Sequence, residues 1–353
     1  MADLVEHFVR NHKLENKEEY RRLLKCLEDE EASAHVRAEA VRLRKKYYGE
    51  DVYIRGLIEF TNYCRNGCYY CGINRENREV IRYRLTQSEI MTCCEKGWKL
   101  GFRTFVFQGG EDPCLTDEWL VELVRSVKEA YPECALTLSI GERTFESYER
   151  LRRAGADRYL LRHETADEVH YRRLHPADMN LSVRKRCLWD LKNLGFQTGA
   201  GFMVGSPGQS YEELGEDLVF LEELKPEMVG IGPFIPHRNT RFAGEAAGSV
   251  ELTLRLLSVI RILLPKALIP ATTALGTLGP DGRERGIGAG ANVVMPNLSP
   301  KKKREQYSLY DNKLSEGAET AEGLEALAQR VEAIGYHLNM DRGDAIAIRK
   351  LTI

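Results

Sequence analysis

No run in this sequence approaches the roughly 20 consecutive apolar residues that a membrane-spanning helix needs. Charge of one sign is also missing. Lys and Arg number 51 against 53 Asp and Glu, a net charge of −2. That balance argues against a surface built for nucleic acid or another polyanion. The one dense basic cluster, Lys301–Arg304, reads as a solvated loop or helix start. There is no solenoid-type repeat and no low-complexity segment. The N-terminus carries acidic residues early and lacks the apolar core of a signal peptide, so the expected location is the cytoplasm. Nine cysteines in 353 residues are an odd number in a large chain, not a small-domain disulfide framework. In a reducing compartment they are free thiols or metal ligands.

What is present is a regular alternation. After about fifty residues with helical periodicity come eight short apolar runs: 52–60, 103–107, 135–140, 158–161, 198–204, 228–234, 268–273 and 292–295. Most are followed by an amphipathic segment, as at 116–130, 144–154, 182–194, 211–224 and 252–263. The helix after 268–273 is expected to be short or absent. Gly101, Gly155 and Gly195 fall between a helix and the next strand, where a C-cap belongs. Strand–helix alternation with buried-type strands implies a parallel sheet. Eight such units predict an α/β fold, a (β/α)₈ TIM-type barrel with its chemistry at the C-terminal strand ends. The expected organisation is a helical extension over residues 1–50, the barrel over 51–310, and a helical tail over 311–353 that ends in the apolar stretch 345–348.

Cys64, Cys68 and Cys71 have the spacing C-x₃-C-x₂-C in the loop after the first strand, on the active face of such a barrel. Three soft thiolates select an iron–sulfur cluster or zinc. A structural zinc wants four ligands, and no fourth Cys or His follows at finger spacing. Cys93–Cys94 lie on a helix, where adjacent side chains point about 100° apart. A cubane on three cysteines keeps one iron open for a small molecule. The iron–sulfur reading is therefore favoured, with zinc or unligated thiols as alternatives.

The run CRNGCYYCG, with Tyr70 before the last cysteine, resembles the signature of the radical S-adenosylmethionine superfamily. Gln108-Gly109-Gly110-Glu111 after the second strand resembles that family's GGE motif, and the segment 198–205, which includes Met203, resembles its adenosine-lining fifth strand. The runs 158–165, 228–237, 270–274 and 291–297 narrow the resemblance to the group of biotin synthase, methylornithine synthase and HydE-type maturases of [FeFe] hydrogenase, nearest the last.

The resemblance implies a [4Fe-4S] cluster on Cys64, Cys68 and Cys71, and S-adenosylmethionine cleaved to a 5′-deoxyadenosyl radical. It implies that Gly109, Gly110 and Glu111 bind the methionine amino group, that Glu164 holds the ribose, and that Arg184 pairs with the methionine carboxylate. Tyr70 and Met203 would also contact the cofactor. Ser139 would face both adenosine and substrate, and Arg162, Thr272 and Thr273 would line a substrate cavity. The implied substrate is a small or organometallic molecule. The implied partners are a reductant such as ferredoxin or flavodoxin and other hydrogenase maturases.

The bland readings stand beside these. Arg184 could be a surface arginine, Glu164 a helix cap, and His163 and His237 structural histidines. No strand carries cysteines for the second cluster of biotin synthase, and none follows Cys187 for an accessory C-terminal cluster. An amino acid rearrangement and a non-enzymatic iron–sulfur carrier remain as alternatives.

Overall fold

The protein is described here from a computed structural model, which describes residues 2–346. Three helices, Ala2–Asn11, Lys17–Cys26 and Glu30–Tyr48, come first. Asn16 and Asp29 each accept a hydrogen bond from a first-turn amide, which fixes where the second and third begin. The strands then follow: β1 (Asp51–Ile54), β2 (Gly56–Thr61), β3 (Thr104–Gly109), β4 (Ala135–Ser139), β5 (Arg158–Leu160), β6 (Gln197–Ala200), β7 (Met203–Val204), β8 (Met228–Val229), β9 (Gly232–Pro233), β10 (Val293–Val294) and β11 (His337–Asn339).

Strands β2-β3-β4-β5-β6-β8 form one parallel sheet in sequence order. Its two edges meet. Met228 bridges Leu268, Pro270 bridges Val293, and Asn297 bridges Leu57 of β2, all in parallel sense. The sheet therefore closes into a barrel, and each of the eight apolar runs occupies one staff. The run 52–60 is split at Arg55, where β1 leaves to pair with β10 and β11. The run 198–204 breaks at Gly201. A Cβ there would lie 2.0 Å from the Gly230 carbonyl oxygen, and its φ of +151° favours glycine.

Helices cover the outside at Gln87–Lys99, Asp117–Ala130, Phe145–Ala154, Leu181–Asn193, Tyr211–Leu224 and Val250–Leu263. Five begin at a Thr or Ser N-cap: Thr86, Thr116, Thr144, Ser210 and Ser249. Gly101, Gly155 and Gly195 all adopt positive φ at the helix-to-strand joints. Between Pro270 and β10 only two short helices form, Thr273–Leu278 and Gly282–Gly288. In Lys301–Gln306, Lys301 and Lys302 are exposed, but Arg304 is buried and reaches Glu322 at 2.8 Å.

The tail holds more than helix. Helix Leu324–Glu332 is followed by β11, which pairs with β1. Beyond it the chain lies against the barrel floor. Arg158 Nη2 donates to the Arg342 carbonyl and to Asp344 Oδ1, both at 2.7 Å, and Gln197 Nε2 donates to the same oxygen at 2.7 Å. The apolar stretch expected at 345–348 extends beyond the described residues. Among the described residues no helix is long and apolar enough to cross a membrane.

The packing of the strand ends positions the site. Phe107, Leu138, Tyr159, Leu161 and Val294 are sealed under the helices. Their alternating neighbours Gln108, Ser139, Leu160, Arg162 and Met295 are only half-buried. Side chains alternate across a strand, so the half-buried set faces the barrel axis. Gln108 pairs in register with Glu59 and Ser139, and Leu160 with Gly199. At the C-terminal level glycines allow close approach: a Cβ would lie 2.6 Å from Leu160 Cδ1 at Gly199, 2.0 Å from the Gly230 carbonyl oxygen at Gly201, and 2.8 Å from Thr272 Oγ1 at Gly232.

Candidate active site

The three cysteines sit in the long loop between β2 and the helix at Gln87, above the C-terminal strand ends. All three are half-buried thiols. Burial pushes each thiol pKa up, and for Cys68 and Cys71 the neighbouring cysteines add to it; Cys71 is pushed up to about 12. Left alone these thiols stay neutral. A bound metal centre takes them as thiolates and displaces their protons. Among the described residues no three His, Cys, Asp or Glu side chains close on a single-ion site. A multi-iron cluster, wider than one ion, suits three thiolates set apart on one loop.

Gly110 explains how the second strand meets this loop. A Cβ at Gly110 would lie 2.2 Å from the Tyr63 carbonyl oxygen and 2.7 Å from Cys64 Cβ; one at Gly109 would lie 2.6 Å from Thr61 Cγ2. The glycines thus bring the end of β3 directly under the cysteine loop. Glu111, next in sequence, is buried. Its Oε2 accepts from Arg65 Nε at 3.2 Å and its Oε1 from the Glu142 amide at 2.9 Å.

Arg184, on helix Leu181–Asn193, is buried and not a surface residue. Its Nε donates to Glu142 Oε1 at 2.5 Å, its Nη1 to the Arg162 carbonyl at 2.9 Å, and its Nη2 lies 3.8 Å from Glu111 Oε1. Burial works against its charge, but Glu142, Tyr171 and Glu111 outweigh it and hold the guanidinium protonated.

Glu164 follows β5 with φ +67°, a left-handed conformation that costs a non-glycine residue about 1–2 kcal/mol. Two backbone bonds hold it there. Its amide donates to the Gly201 carbonyl at 3.1 Å, and its carbonyl accepts from the Met203 amide at 3.2 Å. Glu164 does not cap a helix. Asp167 does that for Glu168–Leu174. The Glu164 carboxylate lies 2.9 Å from Arg162 Nη2. The contact is too poorly aligned to satisfy either group, so Glu164 Oε2 and Arg162 Nε and Nη2 are buried without a hydrogen bond. Thr272 Oγ1 is likewise buried and unpartnered. Buried polar atoms left this way cost free energy unless a ligand completes them.

The remaining expected residues fall close by. Ser139 ends β4, half-buried beside Gln108. Met203 is buried with Leu174, Phe234 and Phe242, against Tyr69 and Tyr70. Tyr70 donates its hydroxyl to His175 Nε2 at 3.2 Å, since His175 Nδ1 is used by the Tyr171 carbonyl. Thr273 opens helix Thr273–Leu278, and its hydroxyl donates to Glu319 at 2.9 Å. His163 is structural in its contacts. Its Nδ1 accepts from the Gly201 amide at 3.3 Å, so its Nε2–H donates to Asp217 at 3.1 Å. Burial, with nearby Lys185, holds it neutral. His237 packs on Gly72, where a Cβ would come within 2.3 Å of the ring.

Sequence reasoning passed over Glu142, His175, and the pair in which Lys313 Nζ contacts the fully buried Glu59. Glu142 had only its place just past the end of β4, which by itself does not set it apart from an ordinary turn residue.

Residues 58–221 match the model of the radical SAM superfamily. The chain belongs to that superfamily, whose cofactors are a [4Fe-4S] cluster and S-adenosylmethionine. Within it the chain groups with HydE and 3-methylornithine synthase. It is 45% identical to the [FeFe] hydrogenase maturase subunit HydE of Thermotoga maritima over 86% of each chain. It is 31% identical to 3-methylornithine synthase of Methanosarcina barkeri over 89% of this chain and 88% of that one. The crystal structure of methylornithine synthase (PylB) superposes with a TM-score of 0.83 at 28% identity, covering 99% of this chain and all of the other. The maturase HydG shares the fold, with a TM-score of 0.81 at 20% identity over 99% of this chain and 77% of that one.

Proposed function

We propose that this chain is a HydE-type maturase acting in assembly of the [FeFe]-hydrogenase di-iron site. Cys64, Cys68 and Cys71 hold the [4Fe-4S] cluster. When bound, the cluster supplies one electron that breaks the S–C5′ bond of S-adenosylmethionine and frees the 5′-deoxyadenosyl radical. The chain's own part is orientation and exclusion of water. Gly109 and Gly110 let the backbone approach the methionine end, with Glu111 receiving its ammonium. Arg184 pairs with the carboxylate, a partner suited to a planar guanidinium. Glu164 accepts from the ribose hydroxyls; Tyr70, Ser139 and Met203 wall the nucleoside. Arg162, Thr272 and Thr273 line the substrate space below.

The observation that carries this reading is the buried Arg162–Glu164 ion pair and Thr272 hydroxyl, whose hydrogen-bonding capacity the chain leaves unused, in a chain 45% identical to HydE. The Arg162 and Thr272 donors suit a small anionic or organometallic substrate, here a cysteine-bound iron carbonyl–cyanide precursor. Residues 51–310 form the catalytic unit, with 2–50 and the described tail residues 311–346 packed on it. A ferredoxin or flavodoxin serves as reductant and the other maturases as partners, in the cytoplasm.

The test is co-expression of an [FeFe] hydrogenase with its other maturases, with and without this chain. Restored hydrogen evolution supports the reading; an S-adenosylmethionine-cleaving protein that restores none overturns it. The likeness to 3-methylornithine synthase favours, as second reading, rearrangement of an amino acid skeleton. It predicts a rearranged amino acid product in place of hydrogenase activity.

A further inference from the structure

Glu142 contacts both groups that face the amino acid end of S-adenosylmethionine in the reading above. Its backbone amide donates to Glu111 Oε1 at 2.9 Å, and its carboxylate accepts from Arg184 Nε at 2.5 Å. It sits on a pinned turn. Tyr159 Oη donates to the Gly141 carbonyl at 2.8 Å, and the Arg143 amide donates to Tyr148 Oη at 3.0 Å. Gly141 has φ +80°, and a Cβ there would lie 1.9 Å from Glu111 Cγ. Glu111 therefore lies flat against the turn and cannot shift towards it.

We infer that Glu142 is a positioning residue that holds Arg184 and Glu111 apart as an open acid–base pair for an α-amino-acid zwitterion. The Arg184 Nη2–Glu111 Oε1 separation is 3.8 Å, just short of a direct ion-pair hydrogen bond. Two anchors prevent closure: Glu142 on Nε and the Arg162 carbonyl on Nη1. A guanidinium has five N–H donors. With Nε and one Nη1 hydrogen engaged and one Nη2 hydrogen towards Glu111, one remains on each terminal nitrogen, the fork that a carboxylate takes. Without the Glu142 carboxylate, Nε–H is unpaired in a buried place and the guanidinium is free to collapse onto Glu111. The guanidinium would then be withdrawn from the ligand's carboxylate, while Glu111, a carboxylate with further lone pairs, could still accept from the ligand's ammonium.

The inference rests on the assignment of Glu111 and Arg184 to the methionine end. It is tested by calorimetry on cluster-reconstituted protein with two probes, S-adenosylmethionine and its decarboxylated analogue, for wild type, Glu142→Gln and Glu142→Ala. Iron content and cluster absorbance check that each variant is assembled. Loss of one charge-assisted contact predicts at least a roughly tenfold weaker S-adenosylmethionine affinity in Glu142→Ala. Affinity for the decarboxylated analogue should change less than about twofold, and Glu142→Gln, which keeps an acceptor on Nε, should stay near wild type. Equal losses for both probes would reduce Glu142 to a structural support, and unchanged affinity in Glu142→Ala would overturn the inference. A wild type that binds both probes equally well would instead overturn the assignment of Arg184, and with it the premise.

Discussion

The carboxylate of Glu164 lies 2.9 Å from the guanidinium of Arg162, yet neither group completes a hydrogen bond there. The two residues flank His163, whose neutral ring is fixed by Asp217 and the Gly201 amide. Glu164 is held in a left-handed conformation by the strand beside it. Strain and unsatisfied polar atoms at one strand end mark a place shaped for a ligand more than for stability. Glu164→Gly is therefore expected to separate the two. Relief of φ strain offsets glycine's entropic cost, so the melting temperature should change little. S-adenosylmethionine affinity should fall about tenfold or more. A melting temperature lowered by many degrees with affinity intact would contradict this.

Replacing Cys64, Cys68 or Cys71 by Ala is expected to abolish the cluster's absorbance and all S-adenosylmethionine cleavage. Cys93→Ala and Cys187→Ala should keep both, because these thiols are buried beneath helices away from the loop. Iron and sulfide analysis with visible absorbance decides it. Cluster loss in Cys93→Ala would show the ligand set to be wrong.

Arg184→Ala should weaken S-adenosylmethionine binding by about 2–5 kcal/mol while the cluster still assembles, as expected for one side of a buried charge pair. It also leaves the Glu142 carboxylate without its guanidinium. Calorimetry with unchanged affinity would return Arg184 to a purely structural role.

The barrel floor predicts an acid-sensitive step. Burial pushes the Asp344 carboxyl up, but Arg158, Gln197 and Arg342 outweigh it and hold the pKa at about 2, below the ordinary 3.8. A depressed carboxylate pKa stabilises the fold above the unfolded value, and that stability is lost as pH falls from about 4 towards 2. The shift is worth about 2 kcal/mol. Asp344→Asn should be less stable at neutral pH and lose less on acidification. Parallel stability–pH curves for variant and wild type, in urea melts, would contradict it.

Much of this was legible in the sequence because barrels place chemistry at strand ends. All eight apolar runs became staves, and Cys64, Gly110 and Glu164 could be located by counting from them. Arg162 as a cavity residue came only from the resemblance to the family; its inward-facing place shows in the alternating burial along its strand end. The tail was less legible: β11 has no apolar alternation to announce it, since it is held by pairing with β1. Glu142 was missed because a Gly-Glu turn after a strand reads as ordinary. Its meaning comes from Arg184, 42 residues away in sequence. Thr273 was placed on a strand, but the backbone turns into a helix at that residue, with Thr272 as N-cap.

The most direct test of the central claim is product analysis under anaerobic conditions. Cluster-reconstituted protein, reduced with dithionite and given S-adenosylmethionine, should release 5′-deoxyadenosine and methionine, and the Cys68→Ala protein should release neither. A fully loaded, reduced wild type that yields no 5′-deoxyadenosine would contradict the radical mechanism and leave the chain as an iron–sulfur carrier.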